Sequence, residues 1–151
     1  MFGNSIAVAT ITEAGQELVF ESNVVVEHYG VSGAPLPVEK FARKLPFTYA
    51  FEEIPDLRQS IERHYPDPEH KLDGWVRRFL GDNETWNVLT VINGAIRQEF
   101  TYAERVEEGA QTPIETLDRG TGTCRDFALL MMEAARALGM SKPKTLFYII
   151  L

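Results

Sequence analysis

The residues most capable of chemistry lie in a short stretch around the single cysteine of the chain, Cys124. The run Gly120-Thr121-Gly122-Thr123-Cys124-Arg125-Asp126 places a glycine-containing loop directly before an apolar helical pattern. Thr123 is placed to cap that helix and Asp126 to complete a capping box, which puts Cys124 in the first helical turn. Backbone N–H groups and the positive helix end favour a thiolate there and could stabilise an oxyanion. The pattern therefore predicts a nucleophilic thiol.

A second interpretation of Cys124 stays open, because a lone cysteine in a globular domain is commonly a small buried hydrophobic residue. Such a residue would ordinarily lie on the apolar face of the helix, whereas Cys124 lies at the junction of loop and helix. The chain offers no second cysteine for a disulfide or a thiolate metal site. We therefore expect a free thiol, no cofactor and no metal, and a reducing compartment suits such a protein.

A longer run around the same cysteine, GAQTPIETLDRGTGTCRDFALLMMEAARALG, resembles the core motif of bacterial transglutaminase-like proteins, a family often described as cysteine proteases. Upstream, LPFTYAFEEIPDLRQSIERHYPDPEHKLDGWVRRFL is similar to the family's connecting segment, and FTYAERVEEGAQTP to the loop that leads to the nucleophile. The resemblance implies a papain-like arrangement in which Cys124 attacks an amide or peptide carbonyl. A thioester acyl-enzyme forms, and water or an amine then resolves it by hydrolysis or acyl transfer.

The resemblance also implies a general-base histidine and an orienting aspartate downstream of the nucleophile. All three histidines of the chain precede the cysteine; they are His28, His64 and His70. After Gly139-Met140 the sequence reads SKPKTLFYIIL, where the family would continue into a strand with small residues and an arginine. This departure predicts a truncated or frame-shifted product that is inactive as it stands. The alternative is a noncatalytic structural or protein-binding module that keeps the fold.

Other polar and aromatic residues have simpler interpretations. His64 and His70 flank a turn with two prolines and are predicted to be solvated surface residues, and His28 is predicted to lie on a strand. Trp75 and Trp86 occur at helical spacing and are predicted to be core residues. Gln111, in the loop before the nucleophile, is a speculative polar contact for the substrate carbonyl.

The elements that must position Cys124 follow from the periodicity of the apolar residues. Residues 1–30 alternate in the manner of strands, which predicts an antiparallel β segment. Three helical patterns come next: one through Leu57 and Ile61, one closing at Gly81, and one that starts near 82–85 and buries Trp86, Leu89, Ile92, Ile96 and Phe100. The last predicted helix runs from Cys124 to Leu138, and the closing run LFYIIL is typical of a strand.

The predicted fold class is α+β, with an N-terminal antiparallel β segment followed by the helical first half of a papain-like, transglutaminase-like core. The resemblance implies that residues 1–43 are the remnant of the N-terminal β-sheet domain that precedes the core in this family. Residues 44–151 would be the N-terminal part of the core, truncated after the nucleophile helix.

Composition excludes some partners. The chain has 151 residues, of which 44% are hydrophobic and 25% are charged, as in an ordinary globular domain. The formal net charge of -7 argues against a surface that neutralises phosphates, so we expect no nucleic acid and no membrane partner. No signal sequence or membrane span is evident. We therefore predict a cytoplasmic protein that acts on a protein or peptide substrate, with homo-oligomerisation through an unpaired sheet edge as a further prediction.

Overall fold

The computed structural model describes residues 8–27, 37–104 and 107–139. The chain divides into two units, residues 1–35 and residues 36–151. The domain boundary predicted at residue 43 stays a prediction. His28 and the strand predicted within residues 141–151 lie outside the described residues.

The described residues of the first unit, 8–27, contain no helix and no strand. Their large apolar side chains are exposed: Val8, Ile11, Leu18, Val19, Phe20, Val24, Val25 and Val26. A strand pair becomes stable only when it buries one face against further strands or a helix. No face of residues 8–27 is buried, so the alternation lacks the packing that would turn it into a sheet. The predicted N-terminal antiparallel β segment is wrong over this range.

The described residues of the second unit form five α-helices and two short strands. In chain order they are α1 (Ile54–Ile61), α2 (Lys71–Arg77), α3 (Thr85–Glu99), β1 (Thr101–Tyr102), α4 (Pro113–Arg119), β2 (Thr121–Gly122) and α5 (Cys124–Ala137). A 3-10 helix, Lys40–Ala42, precedes them. The described part is therefore mostly helical with a two-stranded parallel ribbon, which corrects the predicted α+β class.

The hydrophobic core of this unit lies where α5 packs against α2 and α3. Apolar residues recur three and four positions apart along each of these helices, so that each presents one apolar face. The fully buried core side chains are Leu72 and Val76 of α2, Val88 and Ile92 of α3, and Leu130, Met131, Ala134 and Ala135 of α5. The middle turns of α5 are therefore packed into the core, and this packing fixes the helix that begins at Cys124.

Two predicted helices need comment on their continuity and ends. α3 runs unbroken through Asn93-Gly94, because Ile92, Ala95 and Ile96 around that pair are buried and their packing outweighs the ~1 kcal/mol cost of glycine. α2 ends at Arg77 and not at the predicted Gly81. The chain tightens there, with the N–H of Phe79 donating to the carbonyl of Val76 at 3.0 Å. The other predicted helices are confirmed, α1 carrying Leu57 and Ile61, and α5 ending one residue before Leu138.

The last turns of α5 are also tied to the end of α1 and to the residues just after it. Glu133 is fully buried and pairs with the Arg136 guanidinium on the same helix. Arg136 also donates to the carbonyls of Ser60 at 3.0 Å and Gln59 at 3.3 Å, and the backbone N–H of His64 donates to Glu133 Oε1 at 3.3 Å. A buried charge needs such partners, so this cluster fixes the end of α1 on α5. No helix within 8–27, 37–104 and 107–139 has the length and apolarity to cross a membrane.

Candidate active site

Cys124 is the first residue of α5, and its side chain is exposed. The interpretation of Cys124 as a buried hydrophobic filler does not fit this position. Phe127 donates the first backbone bond of the helix to the carbonyl of Thr123 at 3.1 Å. The N–H groups of Cys124 and Arg125 therefore lie ahead of the first intrahelical bond, on the end that carries the positive pole of the helix dipole. The catalytic role of Cys124 stays a prediction.

Asp126 holds the residue before the cysteine. Its carboxylate Oδ2 accepts the backbone N–H of Thr123 at 2.7 Å and the Thr123 hydroxyl at 2.9 Å. The predicted role of Asp126 as a cap partner is confirmed, and its side chain is fully buried beneath the helix start. Because Thr123 immediately precedes Cys124, these bonds fix the backbone that leads into the thiol.

Gln111 lies on the same carboxylate. Its backbone N–H donates to Asp126 Oδ1 at 2.7 Å, and its side-chain Nε2 lies 3.3 Å from Asp126 Oδ2. Nε2 also donates to the carbonyl of Thr121 at 3.0 Å. Gln111 is 3% exposed, and the speculative contact between its amide and a substrate carbonyl is wrong, because both amide hydrogens already have acceptors.

The electrostatics of Asp126 follow from these contacts. Burial raises the pKa of this carboxyl, since the charged form loses its hydration. Hydrogen bonds from Thr123 and Gln111 outweigh that effect and hold the pKa far below its usual range. Asp126 is therefore an ionised, buried carboxylate that organises two loops rather than a proton donor.

The two-stranded ribbon fixes the other side of the loop. β1 and β2 pair in parallel, with Thr101 opposite Thr121 and Tyr102 opposite Gly122. Gly122 lies so close to α5 that an added Cβ would approach Asp126 Cβ to 2.9 Å and Phe127 Cε1 to 3.2 Å. Glycine is thus required at Gly122 by close approach, and the ribbon sits directly against the first turn of the helix.

α4 connects the Gln111 loop to the ribbon and was not among the predicted helices. Thr112 and Glu115 form a capping box: the N–H of Glu115 donates to Thr112 Oγ1 at 3.2 Å, and the N–H of Thr112 donates to the Glu115 carboxylate at 2.8 Å. The helix ends at Gly120, whose φ of 64° is left-handed. The signal was present as Thr-Pro-x-Glu at 112–115, a capping box with proline at the first helical position.

Neither described histidine is recorded in contact with Cys124. The backbone of His64 contacts Glu133, nine residues along α5 from Cys124, which is roughly 13 Å at the rise of an α-helix. The ring of His70 lies 3.0 Å from Asp73 and is largely exposed. Both histidines thus lie on the surface, as predicted, and within residues 8–27, 37–104 and 107–139 the structure supplies no histidine base at the thiol.

The two tryptophans are both partly buried, and Trp75 packs against the core. Trp75 is partly buried, stacks edge-to-face on Phe79 and Phe100, and donates its indole N–H to Glu99 at 3.0 Å. Trp86 is also partly buried, in the first turn of α3. The indole N–H of Trp75 therefore serves a surface carboxylate and not the cysteine.

A metal centre finds no support in the part of the chain that the structure describes. No group of three or more His, Cys, Asp or Glu side chains in 8–27, 37–104 and 107–139 could hold a metal ion. The arrangement offers an exposed thiol, backbone N–H groups at a helix start and an ionised carboxylate held by hydrogen bonds, a combination that suits nucleophilic attack on a carbonyl.

Comparison with known proteins relates the second half of the chain to a family. Residues 73–141 match the family model described as the transglutaminase-like superfamily. A search of the curated proteins and a search of the solved structures each return no significant match. The matched range runs from α2 past the end of α5, so it contains Gln111, Cys124 and Asp126.

Proposed function

Because residues 73–141 of this chain belong to the transglutaminase-like superfamily, we propose that the protein is a cysteine enzyme that acts on amide or peptide carbonyls through Cys124. The reaction is hydrolysis or acyl transfer by way of a thioester. One observation carries the proposal: the exposed thiol stands at the first residue of α5, directly after a loop anchored by a buried carboxylate.

The proposed reaction begins when Cys124 Sγ attacks the carbonyl carbon and forms a C–S bond. The carbonyl oxygen becomes an oxyanion, and in this proposal the N–H groups of Cys124 and Arg125 donate hydrogen bonds to it. The oxyanion collapses, the C–N bond breaks, and the amine leaves with the proton that the thiol gave up. Water or a second amine then attacks the thioester carbonyl and releases the thiol.

Proton transfer to the leaving amine is the demanding part of this scheme. General acid–base assistance is typically worth about 10² to 10⁴ in rate, and no described histidine is recorded beside Cys124. A leaving group that needs no proton avoids this requirement. The thiol should therefore react readily with an activated ester and slowly with an amide.

Acylation by p-nitrophenyl acetate tests the proposal. We expect one equivalent of p-nitrophenolate to be released in a burst and one acetyl group to appear on the protein by intact mass spectrometry. Cys124→Ala should abolish both signals, while Arg125→Ala should retain the acetylated thiol because the nucleophile remains. A folded protein that is not acylated, or acylation that survives Cys124→Ala, would contradict the proposal.

Exogenous imidazole provides a second test, specific to the proton-transfer step. If the thiol lacks only an acid–base partner, millimolar imidazole should accelerate amide turnover by the intact chain and leave Cys124→Ala unaffected. A peptide amide with a chromogenic amine is the substrate, and release of the amine is the measurement. Equal acceleration of the wild-type protein and of Cys124→Ala would show that imidazole acts on the substrate alone.

A noncatalytic structural or protein-binding module is the second candidate. The observation in its favour is that His64 and His70 both face partners other than Cys124. Iodoacetamide distinguishes the two candidates: the thiol of an enzyme should be alkylated faster than free cysteine at pH 7, whereas the thiol of a noncatalytic module should not.

We also propose that the protein is located in the cytoplasm, where a free thiol stays reduced. Its proposed partners are protein or peptide substrates.

A further inference from the structure

Gln111 occupies the edge of the ribbon that faces away from β1. Carbonyls alternate in direction along a strand, and those of Gly120 and Gly122 accept the N–H groups of Thr101 and Ala103, each at 2.9 Å. The carbonyl of Thr121 points to the opposite edge, where Gln111 Nε2 donates to it at 3.0 Å. The side chain of Gln111 thus takes the place that a third strand would have at this carbonyl.

The same side chain reaches the first turn of α5. Its Nε2 lies 3.3 Å from Asp126 Oδ2, the oxygen that also accepts both Thr123 bonds, and the backbone N–H of Gln111 holds Oδ1. Gln111 therefore joins a residue three positions before Cys124 to a residue two positions after it. The connection crosses the loop-to-helix junction from beneath.

The orientation of the Gln111 amide is fixed by chemistry. Both neighbours of Nε2 are oxygen acceptors, so exchanging the amide nitrogen and oxygen would place oxygen against the Thr121 carbonyl and the Asp126 carboxylate. Oε1 is buried without a hydrogen-bond partner within the described residues. The amide nitrogen of Gln111, and not its oxygen, therefore links Thr121 to Asp126.

We propose that Gln111 is a positioning residue for the reaction of Cys124: its carboxamide holds the Thr121 carbonyl and the Asp126 carboxylate so that the thiol and the first-turn N–H groups of α5 keep one mutual geometry. This inference rests on the proposed acyl-enzyme chemistry, since that geometry matters only when an oxyanion forms. Gln111 itself touches no substrate in this scheme.

Two reagents separate positioning from reactivity of the thiol alone. Attack on an ester carbonyl creates an oxyanion that needs the N–H groups, whereas displacement of iodide from iodoacetamide creates none. If the loss of Gln111 disturbs the geometry at the start of α5, acylation should therefore fall while alkylation is largely kept. A variant that simply unfolds should change both rates together.

Gln111→Glu is the main variant, because it keeps the shape and replaces the donor with an oxygen that faces Asp126 and Thr121. We expect acylation by p-nitrophenyl acetate to fall at least tenfold, with the ester concentration at half-saturation within twofold and alkylation within threefold of wild type. Gln98→Glu on the exposed face of α3 is the charge-matched control and should leave both rates unchanged.

Two further variants guard against a trivial loss of fold. Gln111→Met keeps the length without adding charge and should show the same split if Gln111→Glu does not fold. Ile92→Ala opens the buried core of α3 away from the loop, so it controls for lost stability and should leave both rates of the folded protein within twofold. Circular dichroism establishes that each assayed variant is folded.

The outcomes distinguish the two proposals. A wild-type protein that is not acylated overturns the proposed function, and the positioning role with it. Acylation of wild type with equal acylation of folded Gln111→Glu and Gln111→Met overturns the positioning role alone. Parallel loss of acylation and alkylation in these variants would also overturn it, because the side chain would then serve only to keep the loop folded.

Discussion

At the scale of single residues, the carboxylate of Asp126 is the centre of the site although it does no chemistry in the proposed reaction. It is fully buried and accepts hydrogen bonds from Thr123 and Gln111, so its negative charge is stabilised only while the surrounding loops are folded. A buried charge with these partners makes the folded state sensitive to protonation.

The pH dependence of stability should reveal this carboxylate. Since the pKa of Asp126 is lowered on folding, its stabilisation is fully present above the unfolded value of about 3.9 and is lost as pH falls toward the folded value. The free energy of unfolding should therefore decline below about pH 4. Asp126→Asn should cost about 3 kcal/mol at pH 7 and flatten this decline.

Urea denaturation between pH 3 and pH 7 is the measurement. Asp56→Asn, an exposed change in the first turn of α1, should cost less than about 1 kcal/mol and leave most of the acid slope of wild type. Retention of the full slope in Asp126→Asn would show that other carboxyls cause it.

Gly122 makes a second residue-scale prediction. An alanine Cβ at 2.9 Å from Asp126 Cβ forces the ribbon away from α5, so Gly122→Ala should cost about 1–3 kcal/mol and slow acylation of Cys124. Gly81→Ala is the matched control, because a Cβ there meets open space. Chemical denaturation gives the stability, and equal stability of the two variants would contradict the close approach.

At the scale of elements, the sequence allowed us to predict features that depend on residues close together in the chain, namely helix caps and apolar helix faces. The capping of α5 joins Thr123 and Asp126, three positions apart, and the apolar face of α5 repeats every three to four residues, so both could be predicted. The contact of Gln111 with Asp126 joins residues fifteen apart in the chain, and no periodicity reports such a contact. α4, with seven residues, is too short for a periodic signal and was visible only through its cap.

The failures at this scale have a physical reason in common. Alternation in residues 8–27 indicates a strand only where a partner covers one face, and the described side chains there are exposed. Gly81 resembled a helix end, yet the chain had already left the helix at Arg77. Sequence periodicity measures which face could be buried, and tertiary packing decides whether it is.

α3 supplies the element-scale prediction. Gly94 lies inside the helix and an added Cβ would meet nothing within 4 Å, so Gly94→Ala should raise the free energy of unfolding by about 0.5–1 kcal/mol through helix propensity. Gly120→Ala is the contrasting variant, since φ of 64° disfavours a side chain and stability should fall. Thermal denaturation of both tests the pair, and a loss of stability in Gly94→Ala would contradict it.

At the scale of the whole molecule, the two units differ in how far their structure protects the backbone from proteases. Within residues 8–27 no secondary structure shields the backbone, and Phe20 is 83% exposed. In the second unit a buried core of α2, α3 and α5 protects the helices. Susceptibility to proteases should therefore be sharply unequal along the chain.

Limited proteolysis with chymotrypsin measures this inequality. The first cut is expected after Phe20, and the fragment that carries Cys124 should persist with α3 and α5 intact. Mass spectrometry over a time course identifies the sites. A first cut within α3 or α5 would show that the core is less stable than its burial implies.

The buried pair of Arg136 and Glu133 on α5 limits how much of the N-terminal sequence can be removed without loss of its contacts. The stretch that matches the family begins at residue 73, but Gln59, Ser60 and His64 lie before it and contact Arg136 or Glu133. In a recombinant protein that starts at residue 73, the buried ion pair of Arg136 and Glu133 would lose these three backbone hydrogen-bond partners. A chain that keeps these contacts must therefore begin before Gln59, well upstream of the stretch that matches the family, because the Arg136 guanidinium on α5 binds there.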